Sequence, residues 1–518
     1  MKGTMAVKTF AAIDVGSYEL AIKIYEISKK NKLREIDHIR HRIDLGSDSY
    51  ASGKISYENM DELCRVLREF TDIMKTYQVS AYKAYGTSAV RETSNMLIVL
   101  DQIKQRTGLD ISILSNSEQR FLDYKAIASK GEDFNKIIEE GALIADIGGG
   151  SIQLSLFEKD TLVTTQNMRL GVLRLNDSLQ RLNPKRSQVH ELLREMIDNQ
   201  LAVFKKLYLK DGTIRHIIVV DDYISMMLQK RMIGGPAPGY VDRAAYEQFM
   251  EQANHYTNRQ IAERLGISEE NSNLLYISGV ITAQVMEISG ADMIWAPGVT
   301  LCDGIAYEYA ERTKLISFTH DFEQDIIACA QNISKRYMGS RKRSDTLESI
   351  ALTIYDSMKK IHGLGKRERL LLQIATRLHD CGKYISLTNV GECSYSIILS
   401  TEIIGLSHTE RVIVANVVKY NHLGFPTYGE VSENENIDRS AYLVIAKLTA
   451  ILRVANGLDR SHKQKFKNIK ALLKDQVLLL YVDSTTDITL EKGLFANRAD
   501  FFEEVYSVRP VIHRKRTS

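Results

Sequence analysis

The sequence of 518 residues has little of what marks several classes of protein. It contains only six prolines and no low-complexity tract, which argues against long disordered linkers. Its five cysteines are scattered and form no CxxC pair, which argues against a disulfide framework and a cysteine zinc site, and is typical of a reducing compartment. The formal net charge of +3 is close to neutral for this length, so a protein that coats nucleic acid is not expected.

Long hydrophobic segments are missing as well. No run of about 18 apolar residues occurs, so no transmembrane helix is expected. The first residues, MKGTMAVKTFAAIDVG, lack the apolar segment and the small-residue cleavage site of a signal peptide. Together with the cysteine pattern, these absences predict a cytoplasmic protein that acts neither at a membrane nor on nucleic acid.

One local pattern occurs twice in the chain. Residues 9–27 are predicted to form a strand, a turn and a second strand, and residues 141–157 repeat this order; a third candidate strand follows each time. We interpret the repeat as an internal duplication of a ββ unit followed by helices, one copy per lobe. From about residue 317 the pattern becomes almost entirely helical, apart from a strand-like segment near 477–483. The predicted domains are therefore 1–135, 136–315, and a helical domain at 316–518 with a small C-terminal extension.

The two turns carry the clearest chemical signal. The second reads Asp146-Ile147-Gly148-Gly149-Gly150-Ser151, and the first reads Asp14-Val15-Gly16-Ser17. Consecutive glycines let backbone amides converge on an anion, a serine hydroxyl adds a donor, and an aspartate at a strand end can hold Mg²⁺. The alternative is a tight hairpin that merely needs glycine. Neither turn is a P-loop, because no GxxxxGK[ST] motif is present.

These turns belong to a longer series of ordered motifs, which resembles the exopolyphosphatase and guanosine pentaphosphate phosphohydrolase (Ppx/GppA) family. The matching segments are AAIDVGS (11–17), GTSAVRETSN (86–95), ISILSNSEQR (111–120), ADIGGGS (145–151), RLGVLRL (169–175), RLHDCGKYI (377–385) and ILRVANGLDRSHKQ (451–464). The resemblance implies an α/β fold of duplicated actin-like ATPase (ribonuclease H-like) lobes followed by an all-α, HD-like C-terminal domain. It also implies hydrolysis of the terminal phosphoanhydride of inorganic polyphosphate or of guanosine pentaphosphate with Mg²⁺.

The resemblance assigns roles to individual residues. It implies that Glu118 is the catalytic base and that Arg91 contacts phosphate, because a carboxylate can take a proton from water and a guanidinium binds phosphate in a bidentate manner. Asp14 and Asp146 would hold Mg²⁺. The expected phosphate-binding residues are Gly16, Ser17, Thr87, Ser88, Gly148, Gly149, Gly150, Ser151 and Gln153. The alternative for Glu118 is a carboxylate that stabilises a helix N-terminus, with Ser117 as the N-cap.

Several positions depart from the family pattern. Gln153 stands where the family usually has a carboxylate, and Gln119 replaces the second glutamate of its motif. Glutamine cannot act as a base and is a weaker Mg²⁺ ligand. Tyr18 and Glu19 replace the end of the first turn. The third glycine turn of the family is replaced by a segment with Asp221 and Asp222, whose charges would repel a polyanion if they faced the cleft.

The helical domain contains the His379-Asp380 pair of an HD-type site, with Asp459 as a candidate distal ligand. The expected upstream histidine is missing, since the sequence there reads Ser344-Asp345-Thr346. We interpret His379-Asp380 as a structural pair rather than as a metal site. A basic stretch at 335–337 and 341–343 has two interpretations: a path for a long polyanion, or a solvated helix end and loop. The resemblance implies that this domain lies beside the cleft and joins a homodimer interface.

The sequence therefore predicts an exopolyphosphatase-type hydrolase that removes terminal phosphate from polyphosphate with Mg²⁺, and from guanosine pentaphosphate as a second substrate. Two alternatives stay open. The first is a catalytically impaired regulator that binds polyphosphate or guanosine tetra- and pentaphosphate, which Gln153 and the Asp221-Asp222 segment favour. The second is a sugar-kinase-like ATPase, against which the missing glycine turn near residue 220 counts.

Overall fold

The computed structural model describes residues 8–28, 32–209, 214–229, 233–314, 316, 320–435, 437–466, 469–484 and 486–514. The chain divides into two units, Met1–Asp321 and Phe322–Ser518. The strands of the first unit are β1 (Lys8–Val15), β2 (Glu19–Ser28), β3 (Lys32–Arg42), β4 (Ala81–Gly86), β5 (Ser112–Ile113), β6 (Ala142–Ile147), β7 (Ile152–Glu158), β8 (Thr161–Met168), β9 (His216–Val220), β10 (Tyr240–Asp242) and β11 (Met293–Trp295). Its helices are α1 (Leu45–Ser52), α2 (Tyr57–Thr76), α3 (Ser88–Glu92), α4 (Met96–Thr107), α5 (Asn116–Ala128), α6 (Glu132–Glu139), α7 (Val172–Leu182), α8 (Arg186–Tyr208), α9 (Asp222–Gln229), α10 (Arg243–His255), α11 (Asn258–Leu265), α12 (Glu269–Ser289) and α13 (Leu301–Arg312).

The first unit holds two sheets with the same strand order. The five-stranded sheet runs β3-β2-β1-β4-β5, and the six-stranded sheet runs β8-β7-β6-β9-β11-β10. In each sheet three antiparallel strands are followed by parallel ones, and β10 is an additional antiparallel edge strand. The predicted duplication of an actin-like α/β lobe is therefore confirmed. The β1–β2 and β6–β7 turns consequently occupy equivalent positions in the two lobes.

Apolar residues cover both faces of the first sheet, which explains why β1 is apolar throughout rather than alternating. Ile13 and Val15 pack in a cluster with α2, while Phe10 and Ala12 pack with Ile305 of α13 on the opposite face. A strand buried on both faces is typical of sheets that helices cover on two sides. Within β1 the polar side chains lie near the two ends, and Asp14 is at the end that leads into the first glycine turn.

The second unit is mainly helical, as predicted, but it also contains a small sheet. Its helices are α14 (Phe322–Arg336), α15 (Arg341–Ser357), α16 (Lys366–Leu378), α17 (Val390–Ser400), α18 (His408–His422), α19 (Tyr428–Glu435), α20 (Arg439–Leu458) and α21 (Thr489–Tyr506), with a short 3-10 segment at Cys381–Tyr384. The strands β12 (Ile469–Lys474), β13 (Val477–Val482) and β14 (Arg509–Arg514) form a sheet of order β12-β13-β14. The sequence pattern identified only the middle strand, because β12 and β14 carry several charged residues.

Helix α20 is the most apolar element of the second unit. Among the described residues it is the one helix long and apolar enough to span a membrane, and most of it is buried inside the unit. Leu448, Ile451 and Leu452 are fully buried. Packing in the core of the unit therefore accounts for the apolar composition of this helix.

Candidate functional site

The two glycine turns are tight hairpins whose geometry leaves little room for side chains. The Gly16 amide donates to the Glu19 carbonyl at 3.0 Å, and the Gly148 amide donates to the Ser151 carbonyl at 2.9 Å. A Cβ on residue 16 would lie 2.7 Å from the Glu19 carbonyl oxygen. The hairpin thus requires glycine at residue 16 whether or not an anion binds. For this residue the alternative interpretation, a tight hairpin that needs glycine, is supported.

Both turns nevertheless face one cavity of about 750 Å³. The cavity gathers all but one of the site residues predicted from the sequence. These lining residues are Asp14, Gly16, Ser17, Thr87, Ser88, Arg91, Asp146, Gly148, Gly149, Gly150, Ser151 and Gln153. Glu118 is not among the described residues that line it.

Sheet register explains why residues distant in sequence meet here. Strands β1 and β4 are parallel, with Val15 opposite Gly86, so the residues after each strand emerge side by side. As a result the Ser17 and Ser88 hydroxyl oxygens are 2.8 Å apart. In the second lobe Asp146 lies opposite both Gln153 and Val220, which brings the start of α9 to the same edge.

Asp14 and Asp146 have environments that disfavour their charged forms. Burial, with the nearby Glu19 and Asp222 carboxylates, raises the pKa of Asp14 to about 7, while Arg40 opposes the shift. Burial also raises the pKa of Asp146 to about 6, against the opposing effect of Arg120. A bound cation would offset this cost, because an opposite charge stabilises a carboxylate.

The oxygens at this edge fit Mg²⁺. Oδ1 of Asp14 and Oε1 of Gln153 are buried and accept no hydrogen bond. No cluster of three or more His, Cys, Asp or Glu side chains with metal-binding geometry occurs in the part of the chain that the structure describes. Mg²⁺ commonly uses one or two carboxylates, with phosphate oxygens and water completing its shell. Asp14 and Asp146 are thus suited to hold Mg²⁺ together with a bound phosphate chain.

Asp123 on α5 is a cavity residue that the sequence reasoning missed. It is buried, and a side-chain hydrogen bond joins it to Asp146. Burial, with the neighbouring Asp146 and Asp14 carboxylates, raises the pKa of Asp123 well above its usual range. The hydrogen bond to Asp146 orients the Asp146 carboxylate, and the raised pKa favours the protonated form of Asp123. Its position four residues after Gln119, on the same face of the helix, was the available signal.

Glu118 closes the N-terminus of α5 instead of facing the cavity. Its amide donates to Oγ of Ser115 at 3.3 Å, and its Oε2 accepts from the amide and hydroxyl of Ser115 at 2.9 and 2.7 Å. This is a capping box with Ser115 as the N-cap, so the expectation that Ser117 is the N-cap is wrong. Gln119, the next residue, lines the cavity. The catalytic role of Glu118 stays a prediction.

Arg91 lines the cavity but also binds the loop that leads into α5. Its two terminal nitrogens donate to the Leu114 carbonyl at 2.6 Å and to Oδ1 of Asn116 at 2.5 Å. The guanidinium thus holds the start of α5 against the β4 edge. This anchoring is a structural role that accompanies the predicted phosphate contact.

The Asp221-Asp222 segment begins a helix rather than a glycine turn. Oδ1 of Asp221 accepts from the Ile224 amide at 2.7 Å, which caps the first turn of α9. Asp222 pairs with Arg40 at 2.8 Å, so its charge is partly balanced. Both aspartates line the cavity, which is the position in which their charges were expected to repel a polyanion. Burial raises the pKa of Asp221 to about 7, so its charge is only partly developed at neutral pH.

The raised pKa of Asp221 predicts a stability that falls as pH rises. Because the folded form binds the proton more tightly than the unfolded form, the free energy of unfolding should decline from about pH 4 to about pH 7. Replacing Asp221 with Asn removes this titration and keeps an acceptor for the Ile224 amide. We expect Asp221→Asn to exceed the wild type in stability at about pH 8 by a few kcal/mol, and to show little gain at about pH 4. Urea unfolding at both pH values measures this, and an equal effect at both would contradict it.

Family models match most of the chain. The Ppx/GppA phosphatase family matches residues 24–313, and its domain III matches residues 327–499. The chain belongs to the Ppx/GppA phosphatase family. Named members of this family are hydrolases of phosphoanhydride bonds.

Relatives within the Ppx/GppA family are distant in sequence. A guanosine-5'-triphosphate,3'-diphosphate pyrophosphatase of Vibrio atlanticus is 21% identical over 79% of this chain and 80% of its own length. Exopolyphosphatase 1 of Mycobacterium bovis is 25% identical over 37% of this chain and 54% of its own. The crystal structure of an exopolyphosphatase from Cytophaga hutchinsonii is 20% identical, covers 60% of this chain and all of its own, and superposes with a TM-score of 0.52. This likeness supports the shared fold.

The second unit of this Ppx/GppA chain places an arginine among the residues that the sequence predicted for an HD-type site. The Arg343 guanidinium lies 3.4 Å from Oδ2 of Asp380, 3.8 Å from Oδ2 of Asp459 and 3.0 Å from Oδ1 of Asn456. His379 is fully buried; its Nδ1 bonds the Thr376 carbonyl at 2.8 Å. A guanidinium thus supplies the positive charge beside these aspartates, which supports the structural interpretation of the pair.

Arg343 also corrects the interpretation of the basic stretch. Its side chain is 7% exposed, whereas that of Arg341 is 79% exposed. A buried arginine that pairs with Asp380 does not belong to a surface path for a polyanion. The position at which a histidine ligand was expected, Ser344, is the next residue in the chain.

Proposed function

We propose that this chain is a Mg²⁺-dependent hydrolase that releases terminal orthophosphate from inorganic polyphosphate, and from guanosine pentaphosphate as a second substrate. The observation that supports this most is the pair of glycine turns, each following an aspartate, that face one cavity. The named activities of the pyrophosphatase and exopolyphosphatase relatives are consistent with it. The expected cytoplasmic location and homodimer are part of the same proposal.

The charge of the cavity restricts how a phosphate chain can bind. More carboxylates than cations line it. The carboxylates are Asp14, Glu19, Glu35, Asp123, Asp146, Asp221 and Asp222, and the Lys and Arg side chains are Lys23, Arg40, Arg42 and Arg91. Burial raises the pKa of Asp14 and of Asp221 to about 7, which reduces their charge at neutral pH, but side-chain charge alone would still give a polyanion no net attraction. Backbone amides of the turns and Mg²⁺ must therefore supply it. When bound, Mg²⁺ neutralises charge on the phosphate oxygens.

The protein groups have separate roles in binding the phosphate and in activating water. Amides of residues 149–151 and the hydroxyls of Ser17 and Ser88 bind the terminal phosphoryl oxygens, while the Gly148 amide holds the hairpin closed. Arg91 holds the loop before α5 while facing the same space. Asp123 orients Asp146 through their side-chain hydrogen bond. Glu118 is the predicted acceptor of the proton from the attacking water. Phosphoryl transfer depends mainly on such positioning and electrostatic stabilisation.

Replacement of Asp14 tests the proposal directly. With Mg²⁺ present, we expect the wild type to release orthophosphate from long-chain polyphosphate and Asp14→Asn to be slower by about a hundredfold or more, because the buried carboxylate is lost from the site. The assay is orthophosphate release under saturating Mg²⁺. Asp61→Asn, at an exposed carboxylate outside the cavity lining, is the control and should match the wild type. Absence of release by the folded wild type would overturn the proposal.

Glu118 needs a variant that separates its two roles. Glu118→Ala removes the capping box and should cost about 1 kcal/mol of stability, so its loss of activity would have two causes. Glu118→Gln keeps an acceptor for Ser115 while removing the base. A role as base predicts a loss of about a hundredfold in orthophosphate release for Glu118→Gln. A purely structural role predicts activity near that of the wild type.

The second candidate function is a regulator that binds the same ligands without turnover. It is favoured by glutamine at both cavity positions where the family usually has a carboxylate, Gln119 and Gln153, and by the engagement of Glu118 with Ser115. This alternative predicts Mg²⁺-dependent binding of polyphosphate or guanosine pentaphosphate by calorimetry, with no orthophosphate released.

A further inference from the structure

Three hydroxyl groups meet at the inner end of the first glycine turn. The Ser17 Oγ is 2.8 Å from the Ser88 Oγ, and the Tyr50 Oη is 2.8 Å from each of them. Ser17 and Ser88 line the cavity, whereas Tyr50 is not among the described residues that line it. The tyrosine hydroxyl thus contacts both serines from behind the cavity wall.

The Tyr50 ring is fixed by contacts with the second lobe. The Arg174 guanidinium lies over it, 4.2 Å from the ring centre, and the Arg174 Nε donates to the Gly150 carbonyl at 2.7 Å. A Cβ on residue 150 would lie 2.5 Å from the Tyr50 Oη, so the hydroxyl reaches its position only because residue 150 is glycine. Helix α1 is anchored as well, since the Gly46 amide donates to the Ser17 carbonyl at 2.7 Å.

The number of protons limits how three such hydroxyls can bond. Each hydroxyl has one proton to donate and two lone pairs that accept. In a closed ring of three, every proton is used inside the ring. An anionic oxygen in the cavity would accept a hydrogen bond from one serine hydroxyl, which turns that proton out of the ring. The tyrosine hydroxyl can then donate to the oxygen of the same serine. Hydrogen bonds in such a chain strengthen one another.

We propose that Tyr50 is a positioning residue of the phosphate site: by donating its one proton to the Oγ of Ser17 or of Ser88, it directs the proton of that serine toward a bound phosphate oxygen. This inference rests on the proposed function, because it names a residue that prepares the same site. The three hydroxyls are uncharged donors at this part of the site. A terminal phosphoryl group therefore gains hydrogen bonds there without a further buried cation.

Tyr50→Phe removes the hydroxyl and keeps the ring beneath Arg174. We expect its dissociation constant for orthophosphate, measured by calorimetry with Mg²⁺, to rise about tenfold, because hydrogen bonds to a charged group are among the stronger ones. In the orthophosphate-release assay the KM should rise by a similar factor while kcat changes little. Adding Tyr50→Phe to a Ser17→Ala/Ser88→Ala variant should have no further effect, because Tyr50 acts through these serines.

Tyr77→Phe is the matched control. It also removes a phenol hydroxyl from the first unit, where the Tyr77 Oη donates to Oδ2 of Asp37 at 2.8 Å, outside the cavity lining. We expect Tyr77→Phe to bind orthophosphate like the wild type. Wild-type affinity in Tyr50→Phe, or an equal loss in Tyr77→Phe, would overturn the positioning role. So would a wild type that binds no orthophosphate.

The two proposals fail in different ways. If the wild type binds orthophosphate, Tyr50→Phe weakens that binding and neither protein releases phosphate from polyphosphate, the role of Tyr50 stands and hydrolysis is excluded. If the wild type releases phosphate and Tyr50→Phe matches it in KM and in orthophosphate affinity, hydrolysis stands and the role of Tyr50 is excluded.

Discussion

Arg343→Ala should lower the free energy of unfolding of the second unit by about 3–5 kcal/mol, the usual cost of removing one partner from a buried ion pair. The guanidinium lies near both Asp380 and Asp459, whose side chains are 7% and 2% exposed. Without it, two carboxylates stay buried with less compensating charge, and Asn456 loses a hydrogen bond. Urea unfolding of the full chain, followed by a probe in the second unit, measures the change.

Arg341→Ala is the control on the same helix. Its side chain is largely exposed and lies 3.9 Å from Asp345, so its removal should change stability by less than about 0.5 kcal/mol. A chelator should leave the stability of the wild-type second unit unchanged, because arginine supplies the positive charge. A loss below about 1 kcal/mol in Arg343→Ala would show that the buried aspartates do not depend on the guanidinium.

Gly171→Ala should disrupt the second glycine turn and slow orthophosphate release by about a hundredfold, the scale expected when catalytic groups move by about 1 Å. A Cβ on residue 171 would lie 2.2 Å from the Gly149 carbonyl oxygen and 2.3 Å from the Ser151 nitrogen. Both obstacles are backbone atoms, so either the turn or α7 must move. Because the Val172 amide donates to the Gly148 carbonyl at 3.0 Å, the displacement also breaks the contact that joins α7 to the turn.

The additional methyl group in Gly171→Ala should also lower the free energy of unfolding by about 1–3 kcal/mol, because it overpacks this site. Gly234→Ala is the matched control, since a Cβ on this glycine of the same lobe would meet no atom within 4 Å. We expect the control to retain wild-type stability and release. Activity in Gly171→Ala equal to that of the control would mean that the turn does not position phosphate.

Much of the fold could be predicted because it depends on local patterns that repeat. Two strand–turn–strand segments with an aspartate before glycine identified both lobes, and their sheets have the same order. Element type is a property of short segments, which sequence periodicity reports well. Ser17 and Ser88 were assigned to one site through the family resemblance, and the parallel pairing of β1 with β4 gives the physical reason why they meet.

The residues that the sequence reasoning missed depend on packing between distant elements. Asp123 of α5 reaches Asp146 of β6, and Tyr50 of α1 reaches Ser88 at the start of α3. Arg343 is buried although Arg341 and Lys342 before it are exposed. Composition and periodicity do not specify which charged side chain of a helix turns inward when a cation is needed there.

The capping box at α5 gives Glu118 a use that is independent of catalysis. Because Glu118 bonds both the amide and the hydroxyl of Ser115, its replacement should weaken a helix that also carries Gln119 and Asp123 into the cavity. A glutamate at this position therefore serves folding whether or not the protein turns over a substrate, and its presence alone does not mark an active enzyme.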